Sequence, residues 1–309
     1  MHVKVLGSAA GGGLPQWNCA GRNSAATRAV EAFIQPRTQS SLAVSSDGKQ
    51  WLLLNASPDI RQQINACTQL HPTPQDGPRN SPIRAVILTN GDVDHVAGLL
   101  TLREGHAFHL YAAERVLSVL SANPIFNVLR PDLVPRKAVT LDRRWDVEGP
   151  SGPMGLSAEM FAVPGKVALY LEDETAADYG STVGDTVGLK VTHAETGASF
   201  YYVPGCARLD ESLRQRLLGA QLVFFDGTLF TNTEMLDQGL LPKTGERMGH
   251  MNMSGPEGSL AAFKNLNVAR QIYIHINNSN PVLREDSAER AVVEAAGWEV
   301  AYDGMEISL

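Results

Sequence analysis

Short apolar runs separated by turn residues recur along the whole chain. None approaches the roughly 20 uninterrupted apolar residues that a membrane helix needs. The first run, Val3–Leu6, predicts a β-strand entering a glycine-rich loop; Lys4 and the lack of a cleavage context argue against a signal peptide. Ser41–Ser46 and Trp51–Leu54 flank Asp47-Gly48, a strong hairpin signal. Asp59–Ala66 behind Pro58 predicts a helix, and residues 70–82, which carry four prolines, a surface loop. Ile83–Thr89 is apolar but for Arg84 and its final Thr89, as expected of a strand covered on both faces. It ends in Asn90-Gly91-Asp92-Val93-Asp94-His95, after which Val96–Leu102 has helical character. Beyond a strand at Phe108–Ala112 and a helix at Ala113–Ser121, the middle of the chain is β-rich, with strands at Leu156–Val163, Thr186–Thr192 and Ser199–Val203. The last third alternates: helix Leu209–Leu218, strand Gln221–Phe225, helix Glu257–Lys264, strand Gln271–Ile274, helix Asp286–Ala296, then strands Trp298–Tyr302 and Met305–Leu309. No internal repeat or linker divides the chain. A single α/β domain over residues 1–309, with one large mixed sheet or two sheets between helices, is the natural reading.

Composition narrows the class. With 309 residues, 43% hydrophobic and 19% charged, the chain has the material for a full core, which excludes intrinsic disorder. A net charge of −7 gives no support for nucleic acid as the main partner. Three cysteines, at positions 19, 67 and 206, are too few and too scattered for a disulfide scaffold, so a reducing, cytoplasmic setting without a membrane partner is expected.

The turn after Ile83–Thr89 carries the first chemical signal. Ligands gather beyond the carboxyl ends of strands in open α/β sheets, and Gly91 permits the sharp bend that brings alternate side chains together. Asp92, Asp94 and His95 supply the carboxylate and imidazole donors used for Fe, Mn and Zn. A plain alternative stands beside this: one Asp caps the following helix and the other faces solvent. Asp226, His275 and Cys206 also follow predicted strands, so one sheet edge would bring them together. Each has its own structural explanation, Asp226 as a turn residue and Cys206 as a small buried apolar group.

Together these segments resemble the metallo-β-lactamase superfamily, whose signature after this strand is His-x-His-x-Asp-His. More specifically they resemble the coenzyme PQQ synthesis protein B family, a divergent branch of it. The resemblance is carried by Gly7–Gly13 with Pro15-Gln16-Trp17-Asn18-Cys19, Leu53–Arg61, Leu88–Leu99, Val163–Lys166, Pro204–Arg208, Phe225–Thr228, Met248-Gly249-His250 and His275–Asn278. These blocks span almost the full chain in family order. The resemblance implies an αββα four-layer sandwich. It also places Asn90, Asp92 and Lys166 where the three histidines of the hydrolases' first metal site stand, so that site is largely dismantled. Asp94, His95 and His275 fill second-site positions, and Asp226 stands near the region, held by Cys206, where hydrolases often place a bridging Asp.

Two histidines and one carboxylate with open positions form the ligand set of non-heme Fe(II) oxygenases, whereas a binuclear hydrolase needs two metals. The resemblance implies Fe(II)- and O2-dependent hydroxylation of a tyrosine-derived precursor of pyrroloquinoline quinone (PQQ), with Zn or Mn as ions the site also accepts in vitro. Asp94, His95 and His275 are then the metal ligands, Asp92 and Asp226 further ligands or orienting carboxylates, and His250 and Asp92 the proton-handling groups. Lys166, Arg208 and Asn90 are candidate contacts to the substrate, Arg being suited to carboxylates. His2, His71, His106, His109 and His193 are expected on the surface or in structural roles. Many members of the family hold a structural zinc with Cys-x-Cys-x-x-Cys; here those positions are Cys19, Gly21 and Ser24, so no such zinc is expected and a homodimer would have to form without it. Two other functions stay open: a carrier that holds PQQ or its precursor on its way to the periplasm, and a residual zinc hydrolase.

Overall fold

The computed structural model describes residues 1–176 and 178–309. Its strands are β1 (His2–Gly7), β2 (Ser41–Ser45), β3 (Trp51–Leu54), β4 (Ile83–Ile87), β5 (His109–Ala113), β6 (Arg136–Val139), β7 (Arg144–Gly149), β8 (Gly152–Ala162), β9 (Val187–His193), β10 (Ser199–Val203), β11 (Val223–Asp226), β12 (Gln271–Ile274), β13 (Trp298–Val300) and β14 (Glu306–Ser308). They form two seven-stranded sheets, ordered β14-β1-β2-β3-β4-β5-β6 and β13-β12-β11-β10-β9-β8-β7. In each sheet an antiparallel portion passes into a parallel one: β3 through β6 run parallel, as do β10 through β13.

The sheets face each other across a core built from Val3, Val5, Leu42, Leu54, Ile87, Leu156, Leu189, Phe200, Phe224 and Ile274, all buried. Alternate residues of the same strands point outwards and are covered by helices, which is why β3 and β4 read as near-continuous apolar runs. On the first sheet, Leu53, Val86 and Leu110 pack against the helices Ile60–Ala66 and Glu114–Ala122. On the second, Phe225, Tyr273 and Trp298 pack beneath Glu211–Leu217, Ser259–Ala262 and Ala288–Ala295, with Tyr273 stacked on Trp298 at 3.9 Å between ring centroids. The architecture is the expected αββα sandwich.

Most predicted elements occur within two or three residues of their expected limits, and the hairpin around Asp47-Gly48 pairs Leu42 with Leu54. The differences are confined to short segments. The strands β6 and β7 and the helix Arg22–Arg28 were not expected; all three are short, rich in polar residues and at least partly exposed. The segment after Asp92 is one α-turn, Val93–Val96, followed by a 3-10 helix over Ala97–Arg103 instead of a helix over Val96–Leu102. Gly98 explains the tightening, because its backbone lies so close to Ala56 and Ser57 that an added Cβ would stand 2.1 Å from the Ser57 carbonyl oxygen.

Candidate metal centre

The turns that follow the carboxyl ends of β4, β10, β11 and β12 meet at one end of the sandwich. Backbone bonds tie the two sheets there: Val187 N–H donates to the Thr89 carbonyl, and Ile276 pairs with Ser8 and Ala10. Asn55, buried with a left-handed φ of 62°, braces β3 against β4. Its Oδ1 accepts from the Thr89 N–H and its Nδ2 donates to the Thr89 hydroxyl, both at 2.9 Å.

Three predicted ligands converge on this scaffold. Asp94, His95 and His275 each present a ligand atom within 4.8 Å of the others. His95 is buried and donates its Nδ1–H to Asn90 Oδ1 at 2.6 Å, which aims Nε2 towards Asp94 Oδ2, 3.9 Å away. Burial lowers the His95 pKa to about 4, against the opposing charge of Asp94, so the ring is neutral at neutral pH and its unprotonated Nε2 accepts a 3.4 Å contact from the buried Ser40 hydroxyl. His275 Nε2 donates to Asp94 Oδ2 at 2.9 Å, and its Nδ1 meets the Thr228 hydroxyl at the same distance. Burial opposes charge on His275, but the Asp94 bond and charge prevail and raise its pKa. The His95 and His275 charges, with that same bond, hold the Asp94 carboxyl far below its ordinary range despite burial. His275 adopts φ 59°, a conformation rare for a residue with a Cβ and found where a site over-determines the backbone.

A second convergence, Asp226, His250 and His275, lies behind the first. Here the donors are already engaged. Asp226, fully buried, accepts from Cys206 N–H (2.8 Å), Thr228 N–H (3.0 Å), the Thr228 hydroxyl (2.6 Å) and His250 Nδ1–H (2.7 Å). With its hydroxyl proton on Asp226, Thr228 Oγ1 accepts from His275 Nδ1. Asp226, Thr228 and His250 thus form the hydrogen-bonded wall that fixes the His275 ring, and His250 stacks on that ring at 5.3 Å.

The remaining predicted residues fall around these clusters. Asn90 serves His95 and also accepts from the Asp92 N–H at 3.0 Å. Asp92 stands outside both ligand groups and accepts from Leu169 N–H at 3.3 Å; burial, then the charge of Asp94, raise its pKa to about 6. Lys166 is paired with Glu172 at 2.5 Å, and Arg247 holds the same carboxylate at 2.9 Å. Together with the bond from Tyr170 Oη to the Gly91 carbonyl (2.6 Å), this pins residues 166–172 over the Asn90–Asp94 turn. Arg208 is exposed just beyond the Cys206 turn and makes no ion pair among the described residues. Cys206 is buried, with its thiol on the Arg208 carbonyl and its pKa pushed well up by burial; it joins neither ligand group. Among the described residues, no group of metal-ligating side chains includes Asn90, Asp92 or Lys166, the positions of the dismantled first site. The histidines expected to be structural are so: His71, His106 and His109 each bond a backbone carbonyl, and His193 Nδ1 accepts two N–H groups in a turn.

Sequence reasoning missed Thr228, which joins Asp226, His250 and His275. Its place two residues after the strand-end Asp226, behind Gly227, was the available signal.

Comparison with known proteins agrees with this geometry. Residues 50–276 match the family described as the β-lactamase superfamily domain. Coenzyme PQQ synthesis protein B of Methylorubrum extorquens (strain AM1) is 51% identical over 310 residues, covering 100% of both chains. Its counterpart in Xanthomonas oryzae pv. oryzae (strain MAFF 311018) is 50% identical, again over 100% of both. The crystal structure of Zn(2+)-bound PqqB from Methylobacterium extorquens has a TM-score of 0.94 to this chain at 50% identity, with 100% of each covered. A diphosphatase of the PhnP family, 18% identical with a TM-score of 0.67 and covering 100% of this chain and 97% of its own, shares the fold alone. The chain belongs to the coenzyme PQQ synthesis protein B family of the β-lactamase superfamily.

Proposed function

We propose that this protein acts in PQQ biosynthesis as an Fe(II)- and O2-dependent hydroxylase of a tyrosine-derived precursor. The observation that carries the reading is the convergence of two imidazoles and one carboxylate on a buried point, with Asp92 outside both ligand groups and Asn90 and Lys166 engaged by His95 and Glu172. The donor set fits a divalent ion: His95 has its Nδ1 committed and its Nε2 unprotonated, met only by the Ser40 hydroxyl at 3.4 Å and by Asp94, and His275 is fixed through Nδ1 with Nε2 facing Asp94. An iron ion bound there would supply activation of O2, which no side chain of this chain provides. The protein's own residues orient and desolvate. Asn90 and Thr228 fix the two rings, Asp226 and His250 hold Thr228 and can take or return a proton at His250, and residues 166–172 close over the turn. Arg208, free of an ion pair, is the candidate anchor for a substrate carboxylate, with Lys166 available only if Glu172 releases it.

The name of the M. extorquens crystal structure records zinc in that protein. Affinity for divalent ions rises from Fe(II) to Zn(II) at most nitrogen and oxygen sites, so zinc in a purified relative is compatible with iron as the working ion. No helix among the described residues is long and apolar enough to cross a membrane. We place the protein in the cytoplasm, where the precursor and O2 are its small-molecule partners.

The test is anaerobic reconstitution of metal-free protein with Fe(II), followed by O2, the precursor and a two-electron reductant such as ascorbate, which takes the second oxygen atom to water. Hydroxylated product is expected with Fe(II) and none with Zn(II). Equal turnover by a H275A variant would overturn the ligand assignment. Tight binding of precursor or product without turnover under any metal would favour a carrier, and hydrolysis of a phosphodiester or β-lactam with Zn(II) alone would favour a hydrolase.

A further inference from the structure

Beside the metal centre, on the far side of the Gly12-Gly13 turn, lies a cavity of about 500 Å³, within the size range of small-molecule sites. It is bounded by β1, the helix Ile60–Ala66, residues 36–38 and the Asp303-Gly304 turn, and no residue of the two ligand groups lines it. Much of its wall is apolar, from Leu6, Leu14, Pro15 and Pro36.

Arg37 lines this cavity and is only 4% exposed. Its Nη1 donates to the Ala301 carbonyl and the Ser8 hydroxyl. Its Nε is buried without any partner, its Nη2 makes no hydrogen bond to the protein, and no carboxylate lies within ion-pair distance among the described residues. The Nε–Nη2 edge is the one this protein uses elsewhere to grip carboxylates: Arg115 on Asp185, Arg130 on Asp132, Arg270 on Glu299 and Arg284 on Asp286 all bind through that pair. In Arg37 that pair holds no carboxylate: Nε is enclosed by the protein, and Nη2 is the unpaired nitrogen that a ligand can reach. A buried guanidinium without a carboxylate partner carries a large desolvation cost, and burial lowers its pKa only to about 10, so it remains charged at neutral pH.

The neighbouring acids do not answer it. Asp303 accepts four hydrogen bonds from the backbone and side chains of Ser8 and Thr38, and Asp59 Oδ2 accepts two from Gln39. Lys4 is committed to Glu306 and Gln69. The charged lining, Lys4 and Arg37 against Asp59 and Asp303, is formally balanced, so selectivity must come from Arg37 and not from a general positive field.

We infer that this cavity is a second binding site, for a small amphipathic carboxylate whose charged head meets the unpaired Nη2 of Arg37 while its apolar part lies against Leu6, Leu14, Pro15 and Pro36. The site is separate from the metal centre and independent of which metal or reaction that centre supports.

Benzoate is a suitable probe and benzamide its neutral match, each titrated into metal-free full-length protein by calorimetry and by the Arg Nε–H resonances, the Arg37 peak being identified by its absence in R37K. A ligand of about nine heavy atoms at ordinary efficiency should bind with a dissociation constant of about a millimolar or tighter. Benzoate should move the Arg37 peak saturably, benzamide should bind at least tenfold more weakly, and R37K should weaken benzoate at least tenfold. If R37K does not fold, A66F, which fills the cavity from an exposed helix position without touching Arg37, should produce the same loss. Equal affinity for benzoate and benzamide, benzoate binding unchanged in either variant, or a response to inorganic phosphate but not benzoate would overturn the inference.

Discussion

Asn90 offers the sharpest test of the metal centre, because its expected and its observed roles predict different readouts. As a substrate contact it would affect KM; in the structure its Oδ1 is the acceptor that fixes His95. The His95 ring is 1% exposed, and its Nδ1–H has that one partner at 2.6 Å. Replacing Asn90 with alanine leaves a buried donor unpaired in the orientation that ligates, at a cost of about 1–3 kcal/mol. Since about 1.4 kcal/mol is a factor of ten, Fe(II) affinity should fall roughly 5- to 150-fold, in line with the 10- to 100-fold typical of residues that orient metal-ligating histidines. The assay is anaerobic competition for Fe(II) against a chromophoric chelator, with thermal melting of the metal-free protein as the check on folding. N90D restores an acceptor and should retain wild-type affinity or exceed it. A dissociation constant for N90A within twofold of wild type, with unchanged melting, would refute the orienting role; a raised KM in that same variant would return Asn90 to the substrate.

Three further outcomes follow from the same coordinates. Asp94 raises the His275 pKa against burial, so below that pKa a metal must displace a proton from the ring; apparent affinity should drop about tenfold per pH unit below the folded pKa and level off above it, as metal titrations from pH 5 to 8 will show. Glu234, buried against Ser279 and the Phe230 N–H, has its pKa raised to about 7 by burial. Its folded value lies above its unfolded one, so stability is greatest below the ordinary glutamate value and declines as pH rises through about 7. The loss is on the order of 3 kcal/mol at most, and E234Q should abolish this slope in urea unfolding at pH 5 and pH 8. Removing the Glu172 carboxylate in E172A should cost about 1–3 kcal/mol and speed proteolysis within residues 166–172, because Lys166 and Arg247 lose their shared acceptor; an unchanged cleavage rate would show that this pair does not hold the segment down.

The fold was legible where burial writes a pattern. The apolar runs on either side of Asp47-Gly48 become the β2–β3 hairpin, and Ile83–Ile87 is apolar but for Arg84 because both of its faces are covered. It was illegible where polar residues make the element. Strand β6, Arg-Lys-Ala-Val, closes the edge of its sheet with no buried residue, and β7 carries a charge at every second position, with Trp145, Val147 and Gly149 between. The helix Arg22–Arg28 has no apolar stripe; Asn23 Nδ2 anchors it to the carbonyls of Asn278 and Asn280, residues more than 250 positions away that no local pattern could reveal.

The site divides along the same line. Asp94, His95 and His275 could be picked out because donor chemistry at strand ends is a local signal, strengthened by the resemblance that aligned it. What the neighbours do to those donors is not local. Asp226 has the right chemistry for a ligand, yet its oxygens accept four hydrogen bonds, so it acts by holding Thr228 and His250 in place. Lys166 has the right charge for a substrate anchor, yet Glu172, six residues on, already holds it. In both cases residue type specifies capacity, and the partners present in the folded chain decide how much of that capacity is left for a ligand. Arg37 is the converse. Nothing in its sequence context marked it, and it matters because the fold buried its guanidinium and left one edge of it unanswered.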